Sequence, residues 1–332
     1  KMKPQDRTPQ QPPVIPPLEG EENRPLFSVM IPAYNCIHYL GHTIQTVLSQ
    51  ALPESDMQIE VIDDASTDGD VATLVGQIGK GRVGYYRQSE NSGSLRNFET
   101  CINRATGHYV HILHGDDFVV DGFYREIQTL FEAHPTIGAA FTDFIYVDEE
   151  DQELWVEKPL TTETGVLDNW LEKIAVGQRV QPPAMVVKRS VYEQLGGFFG
   201  VHYGEDWEMW VRIAAYYDVA HSPKYLARYR IHTTNITSRS FLSGQNIRDI
   251  NQVIKTIAHY LPFDTREYLS EQAKKNFSIY FAKISHKVYH DYKDPKAALV
   301  QAKGAWNMHR NWETFQWVFK LYIKYLIRYK MH

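Results

Sequence analysis

The chain has 332 residues, of which 43% are hydrophobic and 23% charged, and its formal net charge is −5. This composition is typical of a globular protein with one large core and an appended unit. The lack of a basic excess argues against nucleic acid as the main partner, because binding to a phosphate backbone depends on clustered cations.

The first 25 residues differ in composition from the rest of the chain. They contain seven of the sixteen prolines, mixed with Gln, Glu and Arg. Such a segment buries too little apolar surface to offset the entropy that is lost on ordering. We therefore expect residues 1–25 to form a disordered, extended tail.

From residue 26 onwards, apolar runs alternate with helical patterns. The runs that indicate strands are Phe27–Ile31, Ile59–Ile62, Val83–Tyr86 and Tyr109–Leu113, and helices are expected over Tyr39–Gln50, after Gly69 and over Leu95–Ala105. Strands that alternate with helices predict parallel β-α units in a mostly parallel sheet, which is an α/β fold. After about residue 245 the pattern is helical to the end. We expect an α/β domain over residues 26–244 and a helical region over 245–332.

Ligands of open parallel sheets lie at the carboxyl ends of the strands, so the residues after each strand matter most. Asp63 and Asp64, with Ser66 and Asp68, follow the second strand. One interpretation is nucleoside recognition, with a carboxylate accepting hydrogen bonds from a base or a ribose hydroxyl. The other is N-capping of the next helix, for which Asp and Ser are preferred.

A second acidic cluster, His114-Gly-Asp-Asp117, comes directly after the strand that ends at Leu113. The neighbouring carboxylates Asp116 and Asp117 repel each other unless a cation neutralises them, and oxygen ligands suit Mg²⁺ or Mn²⁺. The alternative is a solvated turn.

The third cluster, Gly204-Glu-Asp206, opens a helical stretch that begins at Trp207. An acid at a helix start is favoured by the helix dipole, which would be a purely structural role. The functional interpretation is a general base.

Taken in order, these segments resemble family 2 of the inverting glycosyltransferases, which has a GT-A fold. The resemblance extends from about Phe27 to Thr237. It is carried by Ser28-Val-Met-Ile-Pro-Ala-Tyr-Asn35, Val61-Ile-Asp-Asp-Ala-Ser-Thr-Asp68, Asn91-Ser-Gly-Ser-Leu-Arg-Asn97, Gly107-His-Tyr-Val-His-Ile-Leu-His-Gly-Asp-Asp117, Gly204-Glu-Asp-Trp207 and Tyr229-Arg-Ile-His232.

The resemblance implies roles on the donor side. Pro32 and Tyr34 would line the base pocket, and Asp64 would hydrogen-bond the nucleobase. Asp116 would face the ribose or the metal, and Asp117 would ligate Mn²⁺ or Mg²⁺. The metal motif of this chain is Gly-Asp-Asp, where the common family motif is Asp-x-Asp.

It also implies roles in catalysis and acceptor binding. Asp206 would be the catalytic base, with Glu205 and Trp207 on the acceptor side. His232 matches a late histidine that in some relatives helps to hold the metal or the diphosphate, and Arg96 would contact phosphate or sugar. Structural roles are the alternative for three of these: core packing for Trp207, a structural histidine for His232 and a solvated surface side chain for Arg96.

The reaction implied is the transfer of a sugar from a nucleotide-diphosphate sugar, with UDP as the expected nucleotide, to a hydroxyl acceptor. The acceptor would be a glycan or a lipid-linked glycan in polysaccharide or cell-surface glycoconjugate synthesis, and guanine and thymine stay open as bases. One alternative is a non-catalytic nucleotide-sugar-binding protein. Another is a sugar-phosphate nucleotidyltransferase, which the absence of a glycine between the first strand and Gly41 disfavours.

The segment Trp312–Lys330 is expected to form one helix. Its apolar residues at helical spacing are Trp312, Phe315, Phe319, Tyr322 and Leu326, and its cations are Lys320, Lys324, Arg328 and Lys330. A basic stripe beside an aromatic face is typical of a helix in a membrane interface, so peripheral membrane contact through residues 312–330 is one hypothesis. Packing of the apolar face on the helical region is the other.

The compartment follows from the cysteines and from hydropathy. Cys36 and Cys101 lack the spacing of a metal site, which favours a reducing environment. No apolar run has the length needed to cross a bilayer, and no signal-peptide pattern opens the chain. We therefore expect a cytoplasmic protein, with peripheral attachment at the inner face of the membrane as its one membrane hypothesis.

Overall fold

The structure is a computed structural model that describes residues 7–20, 23–232 and 236–327. The chain forms two compact units. Unit 1 comprises Lys1–Asp168, Val180–Gly200 and Tyr216–Ile231, and unit 2 comprises Asn169–Arg179, Val201–Ala215 and His232–His332. The expected boundary near residue 245 differs from this division, because two internal segments group with the C-terminal helices.

Unit 1 contains a ten-stranded sheet. Its strands are β1 (Phe27–Ala33), β2 (Met57–Asp63), β3 (Gly84–Arg87), β4 (Tyr109–Ile112), β5 (Phe118–Val119), β6 (Ala139–Val147), β7 (Glu153–Val156), β8 (Gly165–Val166), β9 (Met185–Lys188) and β10 (Val219–Arg230).

The helices of unit 1 alternate with the strands of this sheet along the chain, and the remaining helices belong to unit 2. Unit 1 has α1 (Ile37–Leu48), α2 (Val71–Gly79), α3 (Ser94–Arg104), α4 (Phe123–Ala133) and α6 (Arg189–Leu195). Unit 2 has α5 (Trp170–Ala175), α7 (Glu205–Tyr216), α8 (Ile236–Ser243), α9 (Gln245–Ile257), α10 (Phe263–His290), α11 (Pro295–Met308) and α12 (Trp312–Leu326).

The main path of the sheet runs β3-β2-β1-β4-β9-β6-β10-β5, with β7 beside β6 and β8 beside β10. The first four strands in this order are parallel, as the alternating sequence pattern predicted. β9 lies antiparallel between β4 and β6, so the sheet as a whole is mixed. The predicted α/β class is confirmed. The sequence pattern did not predict the antiparallel direction of β9, because β9 has the same kind of apolar run as the parallel strands.

The register of β1 brings the polar segments of the first strands to one edge. Ala33 at the end of β1 pairs with Asp63 at the end of β2, and Met30 pairs with Ile112 at the end of β4. β1 is buried along its whole length, including Pro32, which the sequence pattern had placed at the strand's end. The segments that follow β1, β2 and β4 therefore leave the sheet side by side.

Residues 7–20 contact other segments of unit 1, whereas the sequence predicted a disordered tail. The carbonyl oxygens of Pro9 and Pro13 accept hydrogen bonds from Gly200 N at 2.8 Å and Gly197 N at 2.9 Å. The buried Arg189 donates to Pro16 O at 3.3 Å. The ordering cost is small because proline already restricts the backbone, and Ile15, which is 1% exposed, adds buried apolar surface.

Unit 2 has its own core, in which α10 lies against both α11 and α12. Its buried apolar residues include Phe241, Ile284, Val288, Tyr289, Ala297, Ala298, Ala302 and Leu321. A polar contact is buried there as well, because Gln301 donates to Phe241 O at 2.7 Å. Within the part of the chain that the structure describes, no helix is both long and apolar enough to span a membrane.

We predict that Ile15→Ala lowers the free energy of unfolding by about 2–4 kcal/mol, because it removes a buried side chain and leaves a cavity. Val14, the neighbouring β-branched residue, is 83% exposed, so Val14→Ala should change stability by less than about 0.5 kcal/mol. Urea unfolding of both variants measures the difference. Equal stability of the two variants would show that residues 7–20 add nothing to the fold.

Candidate functional site

The turn after β4, His114–Asp117, is held by α1 and by the end of β1. Thr43 donates its hydroxyl to Gly115 O at 3.0 Å and to Asp117 O at 2.7 Å. Gly115 N donates to Pro32 O at 3.0 Å. A Cβ atom on Gly115 would lie 2.8 Å from the Cys36 sulfur, so only glycine fits there.

Arg230, at the end of β10, fixes the same turn from another direction. Its backbone N donates to Asp117 Oδ1 at 2.9 Å, and its Nε donates to Asp116 O at 2.7 Å. The guanidinium also forms an ion pair with Asp151 at 2.5 Å and lies 4.6 Å from the centre of the Tyr39 ring. Arg230 is almost fully buried, so the backbone of the turn has little freedom.

Three side chains of this turn form a group that could hold a metal ion. The ligand atoms of His114, Asp116 and Asp117 all lie within 4.8 Å of one another. Asp117 Oδ2 is buried and makes no hydrogen bond, although buried carboxylate oxygens are nearly always paired. A cation would supply the missing partner. Two carboxylates and an imidazole suit Mn²⁺, and the carboxylates alone suit Mg²⁺.

The electrostatics of this group point the same way. Burial, followed by the charge of Asp116, raises the pKa of Asp117 well above its usual value. Burial lowers the pKa of His114, so its imidazole is neutral near neutral pH and keeps a lone pair for a metal. The His114 ring stacks on Phe98 with the centroids 5.1 Å apart, which fixes its orientation.

Sequence analysis assigned metal roles to Asp116 and Asp117 and missed His114. The signal was present, because His114 opens the same four-residue cluster and histidine is a common metal ligand. His232, the other residue expected to help hold the metal, belongs to unit 2. It is buried, and its carbonyl oxygen accepts a hydrogen bond from Ser238 at 3.0 Å. Its metal role stays a prediction.

Asp64 organises the loop in front of α3. Its Oδ1 accepts from Ser92 N and Ser92 Oγ, both at 2.6 Å, and its Oδ2 accepts from Asn91 Nδ2 at 3.0 Å and Gly93 N at 2.9 Å. A carboxylate offers about four lone-pair sites, so this one is fully used. Burial raises its pKa, and the bonds from Ser92 oppose that effect. Its contact with a nucleobase stays a prediction.

Arg7, outside the segments that carry the resemblance, also reaches this loop. Its guanidinium donates to Asn91 Oδ1, and a Cβ atom on Gly93 would lie 3.3 Å from Arg7 Nε. Its charge, like the hydrogen bonds from Ser92 and Gly93, opposes the rise in the pKa of Asp64 that burial causes. The sequence did not predict that Arg7 reaches this loop, because a proline-rich segment has no periodic pattern that indicates where it packs.

The other residues of the first acidic cluster have structural partners. Asp63 accepts from Ser66 N at 2.8 Å and from Tyr85 at 2.8 Å, and it pairs with Arg87. Asp68 accepts from Ile37 N at 2.9 Å, so it caps α1 from the neighbouring loop. The capping hypothesis predicted that this cluster caps the next helix, α2. The N-cap of α2 is instead Asp70, whose side chain accepts from Thr73 N at 3.0 Å.

The remaining donor-side candidates differ in exposure. Tyr34 follows β1 and is exposed, whereas Pro32 is buried within the strand. Arg96, on α3, donates to Glu99 at 2.7 Å within the same helix. The contact of Arg96 with phosphate or sugar stays a prediction.

In unit 2, the Glu205–Asp206 pair begins α7. Gly204 precedes it with φ of +87°, a backbone conformation that favours glycine. Asp206 accepts from Gln178 at 2.7 Å and from Trp207 N at 2.8 Å. Burial raises the pKa of Asp206 to about 6. Burial and the charge of Asp206 raise the pKa of Glu205 further above its usual value.

Trp207 does not offer the acceptor surface that the resemblance implied. Its side chain is fully buried in unit 2, its Nε1 donates to Ile174 O at 2.7 Å, and its ring lies 4.7 Å from that of Phe277. A tryptophan with all of its surface in contact with the protein acts in packing, and here it fixes the first turn of α7.

The family described as Glycosyl transferase family 2 matches residues 28–196, just over half of the chain. TuaG of Bacillus subtilis, a glycosyltransferase assigned to teichuronic acid biosynthesis, is 38% identical over 112 residues, which are 33% of this chain and 43% of TuaG.

Two solved structures share the fold. Residues 1–349 of S. aureus TarS in complex with UDP-GlcNAc superpose with a TM-score of 0.61 at 13% identity, covering 92% of this chain and 93% of that one. The mannosyltransferase PcManGT from Pyrobaculum calidifontis, in complex with GDP-Man and Mn²⁺, gives 0.52 at 19% identity, covering 96% and 90%. With the family match and the β1–β4 topology, they lead to one conclusion: the chain belongs to glycosyltransferase family 2 and has the predicted GT-A-type α/β fold.

Proposed function

We propose that this glycosyltransferase uses a nucleotide-diphosphate sugar as donor and holds a divalent cation with Asp117, Asp116 and His114. The observation that carries the proposal is the buried Asp117 Oδ2, which makes no hydrogen bond in a group of three ligand atoms. The TarS complex with UDP-GlcNAc and the PcManGT complex with GDP-Man and Mn²⁺ support a nucleotide-sugar donor and a metal. UDP is the nucleotide we favour.

Contacts within the chain hold the ligands of this turn. Thr43 and Arg230 fix the backbone, and Phe98 fixes the His114 ring. When bound, Mn²⁺ or Mg²⁺ would neutralise the charge that develops on the departing diphosphate. This chain's part is therefore to present two carboxylates and a neutral imidazole in a preset arrangement.

Asp206 is the base that we propose for the acceptor. Its carboxylate would take the proton from the acceptor hydroxyl as that oxygen bonds to the anomeric carbon. The bond from that carbon to the diphosphate breaks, and the configuration inverts. A pKa near 6 suits this role, because the group is ionised near neutral pH and is still a stronger base than an ordinary aspartate.

The acceptor we propose is a glycan hydroxyl in polysaccharide or cell-surface glycoconjugate synthesis. Support comes from the partial similarity to TuaG, whose name refers to teichuronic acid biosynthesis. A screen of nucleotide sugars with short glycan acceptors is the direct experiment.

We predict that UDP binding depends on the metal. Calorimetry in Mn²⁺ should give at least about tenfold tighter binding than in EDTA, a difference of about 1.4 kcal/mol. Asp117→Ala and His114→Ala should abolish this gain, because each removes a ligand. Asp121→Ala is the control, since Asp121 is an exposed neighbour that bonds to Ser49. Equal affinity in EDTA and in Mn²⁺ would refute the metal assignment.

We predict that Asp206→Asn lowers kcat by at least about 10²-fold, while the affinity for UDP stays within about twofold of wild type. The amide keeps the shape of the side chain but cannot accept the hydroxyl proton. Asp264→Asn is a matched control, because Asp264 is also the second residue of a helix, α10, and is exposed. Wild-type turnover in the Asp206 variant would remove this residue from the mechanism.

The raised pKa of Asp206 has a consequence for stability. Its folded pKa of about 6 exceeds the unfolded value of about 3.9, so the folded state gains stability on protonation and loses it as pH rises through that window. Asp206→Asn removes this loss of stability, because the amide does not ionise. Its melting temperature should therefore exceed that of wild type above about pH 6 and converge with it near about pH 4. Thermal unfolding across this range checks the sign, and a difference independent of pH would contradict it.

A further inference from the structure

The polar side of α12 faces α10 inside unit 2. Thr314 is buried and bonds to Ser278 at 2.9 Å, and Trp317 O lies 2.8 Å from His286 Nε2. Lys324 Nζ lies 2.7 Å from His290 Nε2. One of the predicted cations is thus turned toward the protein. Arg328 and Lys330, the last cations of the predicted stripe, lie outside the described residues.

The aromatic side of α12 faces solvent. Trp312, Phe319 and Leu326 are 71%, 52% and 76% exposed, and Phe315 and Tyr322 between them are exposed as well. These residues are separated by three or four positions, so they form one stripe along the helix. Neighbouring rings stack with centroids 5.4 and 5.6 Å apart, which makes the stripe continuous.

This finding decides between the two hypotheses for the apolar face of the helix. Little of the face packs on the helical region: Phe315 lies 6.1 Å from the ring of Trp306 on α11, whereas the fully buried residues of α12 are Thr314 and Leu321. Five large apolar residues along 15 residues of helix span about 22 Å of surface at 1.5 Å per residue. Contiguous exposed apolar patches of this kind usually mark an interaction surface.

The charge of the hairpin formed by α11 and α12, residues 295–327, indicates what kind of partner the stripe would bind. Over residues 295–327 the chain has one acid, Glu313, and five cations, in a protein whose net charge is −5. The cations are Lys296, Lys303, Arg310, Lys320 and Lys324, of which the first four are exposed. Glu313 lies 3.5 Å from Lys283, so its charge is opposed by a further cation. Residues 295–327 therefore carry a net positive charge, opposite in sign to that of the whole chain.

We propose that the α12 aromatic stripe, Trp312 to Leu326, lies in the interface of an anionic lipid membrane. Such a surface offers an apolar layer for the rings and negative head groups for the nearby cations. Trp and Tyr suit that boundary because each joins an apolar ring to a polar group. A second copy of the chain fits less well, because a twofold contact through the stripe would bring two positive hairpins together.

The experiment is co-sedimentation of the full chain with vesicles of phosphatidylcholine alone or mixed with phosphatidylglycerol. At low salt, most of the protein should sediment with the anionic vesicles and little with the neutral ones. Trp312→Ser/Phe319→Ser should lower the bound fraction at least about tenfold, because it removes two of the apolar anchors. Phe263→Ser is the matched control, since Phe263 is 87% exposed elsewhere in unit 2, and its variant should bind as wild type does.

Two results would overturn the proposal. The first is full-length protein that stays in the supernatant with anionic vesicles at low salt. The second is a dimer in light scattering that the Trp312→Ser/Phe319→Ser variant loses, because a second copy would then cover the stripe. A circular-dichroism spectrum and a melting temperature equal to those of wild type show that the variant is folded, and the proposal does not depend on the metal or base assignments.

Discussion

The interaction on which the donor side depends is the buried guanidinium of Arg230. It holds the backbone of the turn after β4 and pairs with Asp151 in the turn after β6. Adjacent carboxylates at Asp116 and Asp117 repel each other, and a mobile turn would relieve that repulsion by moving them apart. Arg230 and Thr43 prevent this, so the free energy of the repulsion would be released on binding the cation that we propose.

The buried carboxylates differ in how their oxygens are bonded and in the pKa that burial gives them. Asp63 and Asp64 have partners on both oxygens, and each fixes a loop of unit 1. Asp117 has a buried oxygen without one, and Asp206 has a pKa raised by burial. Buried polar groups that remain unsatisfied or electrostatically strained cost stability, and proteins tend to keep that cost where function requires it.

The same reasoning applies to apolar surface in unit 2. Trp207, beside the Glu205–Asp206 pair, is fully buried and fixes the start of α7. Trp312 on α12 is exposed, although both residues are tryptophans in the first turn of a helix. Their surroundings account for the difference. Ile174 and Phe277 cover Trp207, whereas α12 buries Thr314 and Leu321 and leaves Trp312 outside.

The sequence by itself determined the first four long strands and the helices between them, the α/β class, the three acidic clusters and the family, because these depend on local periodicity and short motifs. Only the tertiary structure decided that His114 joins Asp117, that Ile15 is buried and which side of α12 faces solvent. Each of these depends on partners far away in the chain, as Arg230 and Asp117 show with 113 positions between them. Local patterns define what a segment can bury or donate, and packing determines which of its groups find a partner.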